Sequence, residues 1–352
     1  MKNLKLIGFL MILASSLMFI QCTSDPIEGP QGIAGVDGYE GVDGVNGADG
    51  ASGTASCVAC HSESHRTPIE ESYAKSVHAA GATVASTTFI PGVSTSSRAS
   101  CARCHNSEGY INYITGKPAV DIVNPSKISC TTCHSKHGTF DFENDGHDYA
   151  LRNMAPVKLD ITEPTYVIDY GNSSNNCASC HQGRSKAPVD NGTGLYLQAN
   201  SRFYPHYSGQ AQMLEGIQGA VIANGSTPMP VVGTAAHRTG ASCVSCHMTA
   251  TTNGTTGLHT FKVSTSACTS CHTTVPTEVA GLAADMATLK AKLLALNLIA
   301  ADGTPIVQTT TIPFKHAQAL WNYKTVEEDH SYGIHNPKYA KALVKNAIEA
   351  VQ

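Results

Sequence analysis

Six stretches of this 352-residue chain share one pattern, two cysteines three positions apart with a histidine directly after the second. They are Cys57-Val-Ala-Cys60-His61, Cys101-Ala-Arg-Cys104-His105, Cys130-Thr-Thr-Cys133-His134, Cys177-Ala-Ser-Cys180-His181, Cys243-Val-Ser-Cys246-His247 and Cys268-Thr-Ser-Cys271-His272. On one helical turn positions i and i+3 share a face, so two thiols reach the two vinyl groups of one porphyrin and the next residue offers its imidazole to the iron. This is the attachment pattern of haem c. Six copies imply six covalently bound haem c groups, whose iron cycles between two oxidation states. Cysteine pairs also build zinc knuckles, thioredoxin-like redox sites and disulfides, but none of these needs the trailing histidine. With 16 histidines in the chain, a histidine behind all six pairs by accident has odds on the order of one in 10⁸.

The elements that carry these motifs follow a leader. Lys2 and Lys5 precede an apolar run from Leu6 to Ile20, shorter than a membrane span and suited to a signal peptide over residues 1–21. Export agrees with haem c, which bacteria attach outside the cytoplasm. Cys22, the one cysteine outside the motifs, sits directly after that run, where a lipoprotein carries its lipidated cysteine. The other reading of Cys22 is a free thiol lost with the leader. From Gly29 to Gly53 glycine recurs at every third position, the period of collagen, yet Pro30 is the only proline inside it. Residues 22–56 therefore read as a lipid-anchored flexible tether with a reach on the order of 100 Å, a trimerising stalk being the alternative.

A net charge of −4 and a pI near 6.4 leave no basic surface for nucleic acid. Aromatic residues are 6% of the chain, so six porphyrins must supply much of the apolar interior. Gly, Ser, Thr and Asn between the motifs point to long loops with little strand. The fold class is thus mainly α with long loops, a multihaem cytochrome c fold organised around six haems over residues 57–275. In the last segment, 276–352, Val279, Leu282, Met286, Leu289, Leu293 and Leu296 recur at steps of three and four and predict a long amphipathic helix. A second helix is predicted from Asn336, an N-cap followed by Pro337, with Ala340, Leu343, Val344, Ala347, Ile348 and Val351 on one face. The two seams are expected to pack as a C-terminal helix pair on the haem domain.

Ten histidines lie outside the motifs: His65, His78, His137, His147, His206, His237, His259, His316, His330 and His335. Several segments resemble, in order, the large multihaem cytochrome c families of periplasmic and extracellular electron carriers and, more distantly, the pentahaem nitrite reductases. They include Ser76-Val-His78-Ala79, His134-Ser-Lys-His137-Gly138, Asp148-Tyr-Ala-Leu-Arg152, Cys180-His-Gln-Gly-Arg184, Pro205-His206, Cys246-His-Met248, Leu258-His-Thr-Phe261 and Gly333-Ile-His335-Asn-Pro337. Carried over residue by residue, the resemblance implies that His78, His137, His206, His237, His259 and His335 are the distal iron ligands. His335 also stands just before the rigid helix start at Asn336-Pro337, which would hold its ring still. His65, His147, His316 and His330 fall outside the resembling segments.

The resemblance implies an electron carrier with no open catalytic haem, passing electrons between redox proteins of the cell envelope. Its place would be the outer membrane, on the periplasmic side or the cell surface, held to the membrane by the lipid anchor. Two other readings stay open. A reductase of a small nitrogen or sulfur oxyanion would need one iron without a distal ligand, but the nitrite reductases carry a lysine in place of the histidine of their catalytic motif, and every motif here ends in histidine. A homo-oligomeric filament would draw one ligand from a neighbouring copy.

Overall fold

A computed structural model describes residues 55–80, 97–138, 149–159, 165–207, 209–251 and 254–352. The leader, the tether with Cys22 as far as residue 54, and His147 lie outside the described residues. All of the described residues belong to one compact unit, 53–352.

Each motif nucleates a short helix or the turn that ends one. The first lies in α1 (Ala55–His61), followed by α2 (Glu63–Ala74) and α3 (Val77–Ala80). The second lies in α4 (Ala99–His105), which meets α5 (Ser107–Ile114) at Asn106, whose side chain accepts from the Gly109 N–H at 2.7 Å. The α4–α5 corner demands glycine at 109, because a Cβ there would sit 2.5 Å from that of Ala102. The third motif forms α6 (Cys130–Cys133), the fourth ends α7 (Ser174–Ala178), the fifth forms α10 (Cys243–His247) and the sixth ends α11 (Thr265–Thr269). Between them stand α8 (Gln210–Glu215) and α9 (Ala236–Gly240). In the third, fourth and sixth motifs the histidine N–H bonds to the carbonyl of the leading cysteine at 2.8–2.9 Å, so the turn closes although regular helix stops short of the histidine.

Strand is sparse. The pairs β1 (Val157–Lys158) with β2 (Val167–Ile168) and β3 (Leu195–Tyr196) with β4 (Ile312–Pro313) are two-residue antiparallel ladders, Val157 opposite Ile168 and Leu195 opposite Pro313. The described chain is mainly helical with long irregular connections, as the glycine- and serine-rich spacers require.

The C-terminal segment differs from the expected helix pair. Helices form as α12 (Leu282–Ala295) and α14 (Pro337–Ala350), the latter capped by Asn336, which accepts from the Tyr339 N–H at 3.2 Å. A third helix, α13 (Phe314–Glu328), packs against both. It is buried on nearly every side from Ala317 to Val326, so its sequence has no apolar stripe and periodicity does not reveal it. The α12 seam also ends early, since the helix stops at Ala295 and leaves Leu296 39% exposed. Leu289, Leu293, Leu320, Trp321, Leu343 and Val344 form the centre of the main core, which Phe203, Met213, Ala220 and Ile222 enter from upstream.

Side-chain amides fasten this trio to the irregular backbone that precedes it. Asn322 accepts from the Ala220 N–H at 2.7 Å and donates to its carbonyl at 2.9 Å, and Asn346 does the same with Thr227 at 3.0 and 2.8 Å. The Trp321 indole N–H donates to the Gln218 carbonyl at 2.7 Å. These bonds satisfy loop backbone that no ladder reaches.

Candidate haem sites

The structure sets each motif histidine opposite one other histidine, the ring planes tilted or edge-on to one another. His61 lies with His137 at a ring-centroid separation of 6.0 Å, His105 with His206 at 6.1 Å, His134 with His259 at 6.3 Å, His181 with His78 at 6.2 Å, His247 with His335 at 6.4 Å and His272 with His237 at 6.0 Å. Two imidazoles that share one metal ion, each through a ring nitrogen at about 2 Å, have centroids about 6 Å apart. Direct packing of two rings in van der Waals contact imposes no such uniform spacing across six places.

In five of these twelve rings the second ring nitrogen meets a partner from the chain itself, a carbonyl, an amide or a carboxylate. The Nδ1 atoms of His134, His237 and His247 lie 2.7, 2.5 and 2.9 Å from the carbonyls of Tyr149, Ile334 and Phe261. That of His181 lies 3.2 Å from Gln210 Oε1, and that of His335 lies 2.7 Å from Asp329 Oδ1. Such partners fix the tautomer and leave Nε2 as the metal-binding atom. Burial, then the facing His181, holds His78 down to about 4; burial, then Arg184 and the facing His105, does the same to His206. Burial also lowers His105, His247 and His259. The neutral imidazole is the form that binds metal.

None of the twelve motif cysteines is joined in a disulfide. Among the described residues no group of three or more His, Cys, Asp or Glu converges as a cage for a bare ion. A zinc knuckle would need four converging donors, whereas a porphyrin brings four nitrogens of its own and asks the chain only for two thiols and two imidazoles. The residues present fit that group.

No protein-family model matches this chain, and no curated protein does. Among solved structures, the crystal structure of the outer cell wall cytochrome OcwA superimposes with a TM-score of 0.49 at 19% identity, over 80% of this chain and 50% of that one. The chain spans half the length of that neighbour, and so distant a likeness says nothing of what this chain does. Among the described residues no helix is long and apolar enough to cross a membrane.

The six pairs are wired to one another by short segments. His134 and His137 stand on one stretch but serve different pairs, which joins the first and third motifs. Cys180 is hydrogen-bonded to Cys104, and Cys177 to Cys243, so the fourth motif touches both the second and the fifth; these bonds, then burial, push both Cys177 and Cys180 thiols well up. Phe261 ties three pairs together. Its ring lies 5.0 Å from that of His78 and 5.8 Å from that of His259, and its carbonyl accepts from His247. It does so from a left-handed backbone, φ 56°, a costly conformation for an aromatic residue that surrounding contacts must hold. Ile334 and His335, adjacent in sequence, serve the sixth and fifth pairs. By these links motifs three, four and five are joined to one another, with motif one attached to three, motif two to four and motif six to five.

Of the remaining histidines, His65 and His330 are exposed and His316 is half-buried; none faces a motif ring. Sequence reasoning missed the Nδ1 partners, because backbone carbonyls such as those of Tyr149, Phe261 and Ile334 leave no mark on residue type. Asp329 had a weak signal as an acid six residues before a histidine.

Proposed function

We propose that the chain is a hexahaem c-type cytochrome that moves electrons between cell-envelope partners. The observation that carries this is the set of six facing imidazole pairs, each built from one motif histidine. Cys57 and Cys60, Cys101 and Cys104, Cys130 and Cys133, Cys177 and Cys180, Cys243 and Cys246, and Cys268 and Cys271 would form the thioethers, and the twelve paired histidines the axial bonds. Bound in this way, haem iron supplies one-electron exchange, at lower potential with two imidazoles than with a methionine. The chain's own residues orient five of the rings through their Nδ1 partners.

Every motif histidine has a partner ring, which favours a carrier over a reductase with an open iron. The links between motifs give the carrier three ends, at motifs one, two and six. Cys60, His61, Cys271 and His272 are exposed, which suits electron entry or exit at two of those ends. Anchoring to an outer membrane through Cys22 completes the reading, as does a redox protein of the envelope as partner. The test is the carbon monoxide bound by the dithionite-reduced, haem-loaded protein, counted per haem by its visible spectrum. Six haems and no bound gas fit a carrier, while one gas molecule per chain identifies an open iron and a reductase.

A further inference from the structure

We propose that Asp329 is a positioning residue for the ring of His335, and that its negative charge lowers the reduction potential of the iron that His247 and His335 share. The inference rests on the ligand assignment just given and adds to it an unequal treatment of one site.

The geometry is built. Asp329 follows α13 and its carboxylate is 1% exposed. Oδ1 lies 2.7 Å from His335 Nδ1, the Ser331 hydroxyl donates to Oδ2, and the His335 N–H donates back to Ser331 Oγ at 3.2 Å. The loop that makes this closed circuit is strained into place. His330, Tyr332 and Gly333 all have left-handed backbones, with φ of 55°, 53° and 80°. A Cβ on Gly333 would come within 2.4 Å of Leu282. Strain of this kind persists where the surroundings over-determine a conformation, and it concentrates at ligand clamps.

The charge separates this ring from the others. His134, His237 and His247 meet backbone carbonyls and His181 meets a side-chain amide, all neutral acceptors. A carboxylate on the outer N–H draws its proton and gives the imidazole anionic character, which makes Nε2 a stronger donor. The oxidised iron carries one more positive charge than the reduced iron, so a buried anion hydrogen-bonded to the far side of the ligand ring favours the oxidised state. Burial leaves that interaction poorly screened.

The experiment is an optical redox titration of the full haem-loaded protein carrying Asp329→Asn, beside wild type, Asp329→Glu and His335→Ala. In Asp329→Asn one of the six components should move to higher potential by roughly tenfold in its reduction equilibrium, ~59 mV for one electron. Asp329→Glu should bring that component back, and it should be the one altered in His335→Ala. Six components unmoved in Asp329→Asn overturn the proposal, as does an equal shift in the Asn and Glu variants. Carbon monoxide binding by Asp329→Asn also overturns it, since Asp329 would then only hold the ring on the metal. A wild type with fewer than six haems, or His335→Ala that binds no added carbon monoxide, instead overturns the ligand assignment beneath it.

Discussion

The two ends of the described chain are held together by different physics. From Val279 to Val351 the chain buries its own apolar side chains, with Leu289, Leu293, Leu320, Leu343 and Val344 at or near zero exposure around Trp321. Among the described residues from 55 to 138 the buried apolar ones are Ala79, Cys101, Ala102 and Tyr110, while His78, His105 and His134 are half-buried and His61 is exposed. The first region is an ordinary helical core. The second has too little apolar surface of its own to offset the entropy of ordering, and its interior must come from what it binds. Cofactor and chain are in that sense one folding unit at one end and two at the other.

The largest effect that tests this contrast is on folding. In the full chain made without haem attachment, amide hydrogen exchange should be fast throughout 97–138 while α12, α13 and α14 keep protected amides. Protection in α4 and α5 equal to that of the loaded protein would abolish the distinction. Next, Trp321→Ala should destabilise the C-terminal core by about 3–5 kcal/mol, the range for an aromatic removed from a packed interior. Denaturant melts followed by far-ultraviolet circular dichroism would read this, with the haem spectrum unchanged at low denaturant. The smallest effect belongs to the surface of the second region. Arg66 and Glu70 on α2 pair at 2.9 Å with side chains 60% and 57% exposed, and Arg66→Ala should shift stability by less than about 0.5 kcal/mol in the same melts. A larger loss would mean that α2 depends on its own surface and not on the haem beside it.

Much of the chemistry was legible because it is local. A Cys-x-x-Cys-His motif declares its thiols and one imidazole within five residues, and Asn336-Pro337 announces a helix start that the capping bond to Tyr339 explains. The seam of α12 could be read from Leu282 to Leu293, but Val279 stands before the helix and Leu296 after it, because nothing in these residue types marks where the helix gives way to a turn. Helix α13 escaped for the opposite reason: surrounded on all sides, it has no polar face to set a period, and the absence of glycine and proline from Phe314 to Glu328 was the only sign. Which rings face one another is a long-range fact. His78 meets His181, and His134 meets His259, through loops whose sequences carry no record of the meeting. For the groups that hold the outer ring nitrogens the record is thinner still, as the carbonyls that meet His134, His237 and His247 belong to a Tyr, an Ile and a Phe.

The order of the facing rings along the chain has a mechanical consequence. The span from His61 to His137 overlaps that from His78 to His181, which overlaps His105 to His206, then His134 to His259, His237 to His272 and His247 to His335. These spans interlock like links, so every peptide bond between residues 61 and 335 lies under at least one of them. With porphyrins held as proposed, each fixed to one ring's side and bonded through iron to the other, a protease that nicks an exposed loop anywhere in that stretch would cut the backbone without freeing a fragment. The severed halves would stay clasped, and the nicked molecule would run as two bands only after the irons are stripped of their ligands.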